Sequence, residues 1–181
     1  MRTERRTVIA VSVGLLTAGC TGLNDGGSDG DAPPTGPGPD TPQCDPDDVA
    51  RPPVATGTNI EGREYPRKPE TLTEQSIMEY LDDFETSFAW NRILQSAEGV
   101  TSVNVDNLNG FTPDETGDGF LASSGIRASY STEAGATDER EYIANYFVAP
   151  GAVYRHESTG DPTAPEPRDE ETALVQCGTD D

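Results

Sequence analysis

The spacing of apolar residues changes twice along the chain. Over residues 73–97, Ile77, Tyr80, Leu81, Phe84 and Phe88 recur at intervals of three and four, which stacks them on one face of a long helix. Glu79, Asp82, Asp83 and Glu85 are assigned to its other faces. Trp90, Ile93 and Leu94 widen the apolar surface in the last turns, which predicts fuller burial there. "TLTE", Thr71 to Glu74, reads as a capping box, and Gly99 as the stop. Asn91 projects within the stripe. A buried amide needs hydrogen-bond partners, so its reading is a clamp on a neighbouring loop rather than a ligand.

After Gly99 the period becomes two. Thr101, Val103 and Val105 alternate with polar residues, as do Phe120, Ala122, Ser124, Ile126, Ala128 and Tyr130; both runs predict half-buried strands. Residues 140–148 and 152–158 form a pair around Pro150-Gly151. A trans Pro-Gly favours a type II turn, which fits a tight hairpin poorly, so the register stays open. If the turn is tight, Asn145 meets His156, Phe147 meets Tyr154, and Tyr146 meets Arg155 on the opposite face in a cation–π contact. A last strand runs from Ala173 to Cys177. The expected fold class is α+β: one long helix on a curved four- to five-stranded antiparallel sheet. That element order is similar to cystatin-like and NTF2-like folds, a likeness of topology that carries no function.

The N-terminal pattern is different again. Arg2, Arg5 and Arg6 precede an apolar run from Val8 to Ala18, too short for a permanent membrane span and suited to a processed signal. Arg5-Arg6 resembles a twin-arginine export signal. "LTAGC" resembles the lipobox of prokaryotic lipoproteins, which implies that Cys20 becomes the first mature residue and carries the lipid. Residues 21–43 lack apolar periodicity and are rich in Gly, Asp and Pro. Such a stretch cannot bury enough area to offset its ordering entropy and is read as a disordered tether with a reach of about 25 Å. The expected organisation is a signal peptide over 1–19, a lipid-anchored linker over 20–43, and a globular domain over 44–181. Its first part, 45–70, is Pro-rich and charged and reads as an irregular arm.

Charge sharpens this picture. The 181 residues carry 12 Lys+Arg against 33 Asp+Glu, a net of -21, and Lys68 is the only lysine. Loss of residues 1–19 leaves 9 basic and 32 acidic residues, a net of -23. Dense surface carboxylate with scarce lysine suits a protein of near-saturated salt, where screening lengths are short. The same acidity excludes nucleic acid as a partner, because phosphate binding needs a basic stripe. An anionic membrane surface would repel the chain, so lipid at Cys20 must hold it there.

Of three cysteines, Cys20 is assigned to lipid. Cys44 and Cys177 then remain to each other, and a disulfide is the natural state of such a pair outside the membrane. His156 is the only histidine, which excludes a blue-copper site and leaves zinc without ligands; no Gly-x-Ser-x-Gly elbow accompanies it. "PDETGDG", 113–119, imitates a calcium loop at Asp114, Thr116, Asp118 and Gly119. The required Glu at loop position 12 falls on Gly125, so the segment is read as a polar hairpin turn. No catalytic residue, metal site or cofactor is assigned.

The stretch "EYPRKPETLTEQSIMEYLDDFETSFAWNRIL", 64–94, resembles a family of uncharacterised haloarchaeal lipoproteins through Tyr65, Pro66, Pro69, Leu72, Thr73, Ser76, Tyr80, Phe84, Glu85 and Asn91. The resemblance implies export and anchoring and supplies no activity. The expected function is a membrane-anchored extracytoplasmic module that binds a protein or small ligand without catalysis. The alternative is an enzyme with a carboxylate/Tyr site in the cavity between helix and sheet.

Overall fold

The computed structural model describes residues 44–56, 59–165 and 170–178. The stretch read as a signal segment with Arg5 and Arg6, Cys20, and the stretch 20–43 read as a tether lie outside the described residues. After a 3₁₀ turn at Pro46–Asp48, helix α1 spans Glu74–Ser96. Its N-cap is Thr73: the Thr73 hydroxyl accepts from Ser76 N at 3.1 Å and Ser76 Oγ accepts from Thr73 N at 3.0 Å. The capping box is therefore Thr73 and Ser76, not Thr71 and Glu74. The Ser76 hydroxyl also donates to Thr71 O at 2.8 Å, which turns Thr71 into part of the lead-in. A cap of this kind contributes about 1 kcal/mol. The helix ends where Ala97 N bonds Ile93 O, and Gly99, at φ +63°, turns the chain into the first strand.

The strands are β1 (Val100–Asn107), β2 (Asp114–Glu115), β3 (Phe120–Thr132), β4 (Thr137–Val148), β5 (Ala152–Ser158) and β6 (Ala173–Cys177). All pair antiparallel in the order β1-β3-β4-β5-β6, and β2 joins β3 beyond the end of β1. The sheet curves into a half-barrel with the helix on one face. The fold class is α+β, and the sheet has six strands because β2 adds one to the expected number. Segment 113–119 contains β2 and a turn closed by Thr116 N and Gly119 O at 2.7 Å.

The β4–β5 turn is tight. Ala149 and Ala152 exchange both backbone bonds, at 2.9 and 3.4 Å, and Gly151 does not take the left-handed conformation of a type II turn. Its register matches Asn145 with His156, Tyr146 with Arg155 and Phe147 with Tyr154. Phe120, Ala122, Ile126 and Ala128 of β3 face the helix with Tyr142, Ala144, Tyr146 and Val148 of β4, and they close over Ile77, Leu81, Phe84 and Phe88. Each fully buried large side chain here contributes about 1.5–3 kcal/mol.

Within the arm, residues 53–56 and 59–64 lie along the helix because α1 directs polar groups at their backbone. Ser87 Oγ donates to Glu64 O, Trp90 Nε1 to Glu61 O and Gln95 Nε2 to Pro53 O. Asn91 takes Arg63 N at 2.9 Å and gives to Arg63 O at 2.7 Å, the clamp its place in the stripe predicted. Gly62 is required beneath it: a Cβ there would stand 2.4 Å from Ala55 N. The arm's start is fixed to β6 twice, by Ala50 N to Leu174 O at 2.7 Å and by a Cys44–Cys177 disulfide that closes a sequence separation of 133.

Candidate functional site

Three rows of side chains meet between helix and sheet. On α1, Ile77, Leu81 and Glu85 follow one another at intervals of four, which puts Glu85 inside the apolar stripe beside Phe84 and Phe88. Glu85 is 1% exposed, so the expectation that it lies on an outer face is wrong. On β4, Tyr142 and Tyr146 point toward the helix from alternate positions; on β5, Arg155 does the same two residues after Val153. The alternation that buries Val153 carries Arg155 inward with it.

These residues satisfy one another. Arg155 grips Glu85 with both arms of its fork, Nε to Oε2 and Nη2 to Oε1, each at 2.9 Å. Tyr142 donates to Oε1 at 2.6 Å, and Tyr146 donates to Oε2. The guanidinium lies 4.1 Å over the Phe88 ring and 5.6 Å from that of Tyr142, so its aromatic partners are these two; Tyr146, its cross-strand neighbour, joins it through Glu85 instead. Burial, and then the Glu85 charge, push both phenols well above their ordinary range, which keeps them as neutral donors. Burial opposes the charge of Arg155, but the attraction of Glu85 outweighs it and holds the guanidinium protonated.

The network continues outward through Glu157. Its carboxylate receives Arg155 at 3.2 Å, Arg92 at 2.6 Å, and Arg140. Arg92 lies 4.8 Å over the Tyr142 ring. Helix, β4 and β5 are thus tied by five charged side chains running from the core to the partly exposed Arg92 and Arg140. Buried pairs seldom add net stability over apolar packing, but removing one partner is costly. Chemically, the inner part is closed: the four bonds on Glu85 occupy both of its oxygens, and neither phenol is poised to lose a proton.

The other candidates lie elsewhere. His156 is on the opposite sheet face, its ring nitrogen 3.2 Å from Glu171 O. Asn145, beside it, accepts from Ser123 Oγ at 2.9 Å and Thr163 N at 3.0 Å, pinning the loop after β5. Phe147 and Tyr154 stack at 6.4 Å. Among the described residues no group of three or more His, Cys, Asp or Glu is arranged to hold a metal ion, and no helix is long and apolar enough to cross a membrane.

The segment 64–94 resolves into structural parts. Tyr65 packs on Phe84 at 5.2 Å and donates to Pro52 O at 2.6 Å. Pro66 O accepts from Gln176, Thr73 and Ser76 cap the helix, and Tyr80 donates to Gln176. Glu85 and Asn91 are the core carboxylate and the arm clamp. No known family model, curated protein or solved structure matches this chain. The pattern is therefore explained from its own geometry, as the parts that hold an arm, a helix and a sheet together.

Proposed function

We propose that the protein is an extracytoplasmic, lipid-anchored module that binds a ligand or partner without catalysing a reaction. The observation that carries the location is the Cys44–Cys177 disulfide, since such bonds persist outside the reducing cytosol. It leaves Cys20 as the one cysteine for lipid, in agreement with the apolar run and "LTAGC" before it. The likeness of 64–94 to haloarchaeal lipoproteins and the acidic, lysine-poor composition support the same setting. The finer likeness to cystatin-like and NTF2-like layouts belongs to this proposal too, supported by the order of one helix followed by an antiparallel sheet.

The binding role is supported by the state of the helix–sheet interface. The place where Glu85 meets Tyr142 and Tyr146 is closed and internally satisfied. The enzyme reading rests on the same Glu85, Tyr142 and Tyr146 and would need a substrate to displace Arg155. Cell fractionation tests the anchoring: Cys20→Ser should move the protein from the membrane to the soluble fraction, and a variant that stays membrane-bound overturns it. Capture of partners on the folded domain in high salt tests the binding role.

A further inference from the structure

Beside the last turns of α1, where Arg92, Ile93 and Ser96 stand against β3 and β4, lies a cleft of about 210 Å³. Its apolar lining is Ile93, Ala128 and the ring of Tyr130, and its walls carry Arg92 and Arg140. We propose that this cleft binds a small monocarboxylate with a flat apolar body, its carboxylate on the guanidiniums of Arg92 and Arg140 and its body on Tyr130, Ala128 and Ile93. This deepens the binding reading above and rests on it.

Three observations favour that class. First, basic residues are few, 12 against 33 acidic, yet three arginines converge on the single carboxylate of Glu157. Arg155 has Glu85 as its own partner; Arg92 and Arg140 share Glu157 between them. Second, the forks are held but still reachable: Arg92 is 27% exposed and Arg140 57%. Glu157 and the Tyr142 ring orient them, so little side-chain freedom is lost when a carboxylate docks in the planar geometry guanidinium favours. Third, the volume is about seven waters, below that of ordinary drug-sized sites, which limits the ligand to about one ring. Asp138 lines the same cleft. Its charge disfavours polyanions, so a monocarboxylate should bind ahead of phosphate or a tricarboxylate.

The test is an NMR titration of the oxidised full chain with benzoate at fixed ionic strength in molar chloride. Benzamide serves as the neutral isostere and inorganic phosphate as the competing anion. Benzoate should shift the amides of Ala128 and Tyr130 with a saturable curve and a Kd on the order of millimolar. Arg140→Gln, at an exposed position, should weaken it about tenfold, and Arg140→Lys should recover only part. Tyr130→Ser should weaken benzoate more than acetate. A titration that stays linear to about ten times that concentration overturns the proposal. So does benzamide binding as well as benzoate, phosphate binding better, or an Arg140→Gln variant that binds normally. Failure here with Cys20 anchoring and partner capture intact would remove the carboxylate ligand and leave the anchored binding module standing.

Discussion

Replacing Glu85 by Gln keeps the volume and removes the charge. Arg155, only 6% exposed, would lose its bidentate partner and keep one bond to Glu157 at 3.2 Å. A buried ion left without its partner costs about 3–5 kcal/mol. The amide also turns one acceptor into a donor, facing groups that are themselves donors: Tyr142 or Tyr146 and Arg155. One orphaned buried hydroxyl adds about 1–3 kcal/mol, though losses at one site do not sum. The expected loss is about 3–5 kcal/mol, a large share of the 5–15 kcal/mol typical of a domain. Denaturant unfolding with the disulfide intact reads it as a lower midpoint at unchanged slope. The companion variant replaces the whole polar set: Glu85→Leu, Arg155→Met, Tyr142→Phe and Tyr146→Phe. It should return to within about 1–2 kcal/mol of the natural protein, because matched apolar packing often equals a buried pair. A Glu85→Gln loss below about 1 kcal/mol, or a fourfold variant no better than Glu85→Gln, would refute the view that these groups depend on mutual satisfaction.

Three further outcomes follow from named contacts. Reducing the disulfide, whose ends are 133 residues apart, should cost about 5 kcal/mol in the chain-entropy model, read as the difference in unfolding free energy with and without reductant; equal stabilities would contradict it. Asn91→Ala should cost about 2–4 kcal/mol and speed hydrogen exchange at the Arg63 amide, whereas an unchanged Arg63 rate would show that the arm is held otherwise. For pH, burial pushes the Glu157 carboxyl up, but the hydrogen bond from Arg92 and the charges of Arg92, Arg155 and Arg140 outweigh it and hold its pKa below the usual range. A depressed folded value means stability that is full above the ordinary Glu pKa of about 4.3 and is lost as pH falls through the folded value. Asp82 works oppositely: burial raises its pKa despite the Asn107 bond, so its protonation favours the fold as pH drops. Glu157→Gln should therefore flatten the acid limb of a stability–pH profile and Asp82→Asn should steepen it; unchanged limbs in both would contradict the assignment.

Much of the fold was legible because period and burial coincide. The 3–4 spacing placed α1 within a residue at each end, and the β4–β5 register was readable once the turn proved tight. Cys44 and Cys177 were paired by elimination, and Asn91 was readable because an amide inside an apolar stripe must find partners. The same rule applies to Glu85. At intervals of four from Ile77 and Leu81 it lies on the buried line, and Arg155, alternating with Val153, was the matching charge in the sheet. What hid the pair is that each half is unremarkable alone; a buried carboxylate is recognisable only when a cation is seen to arrive from another element. β2 was hidden because two residues show no period, and the capping box slipped because Ser76 supplies at N3 the acceptor usually given by Glu or Gln. The cleft beside the last turns of α1 was not readable, since it depends on how the helix packs across β3 and β4.

The most direct test of the proposed lipid-anchored module is the intact mass of protein isolated from its native cells and alkylated without reduction. The isolated chain should begin at Cys20, carry lipid on that residue, and take up no alkyl group at Cys44 or Cys177. A chain that still includes residues 1–19, or one alkylated at Cys20, would contradict it.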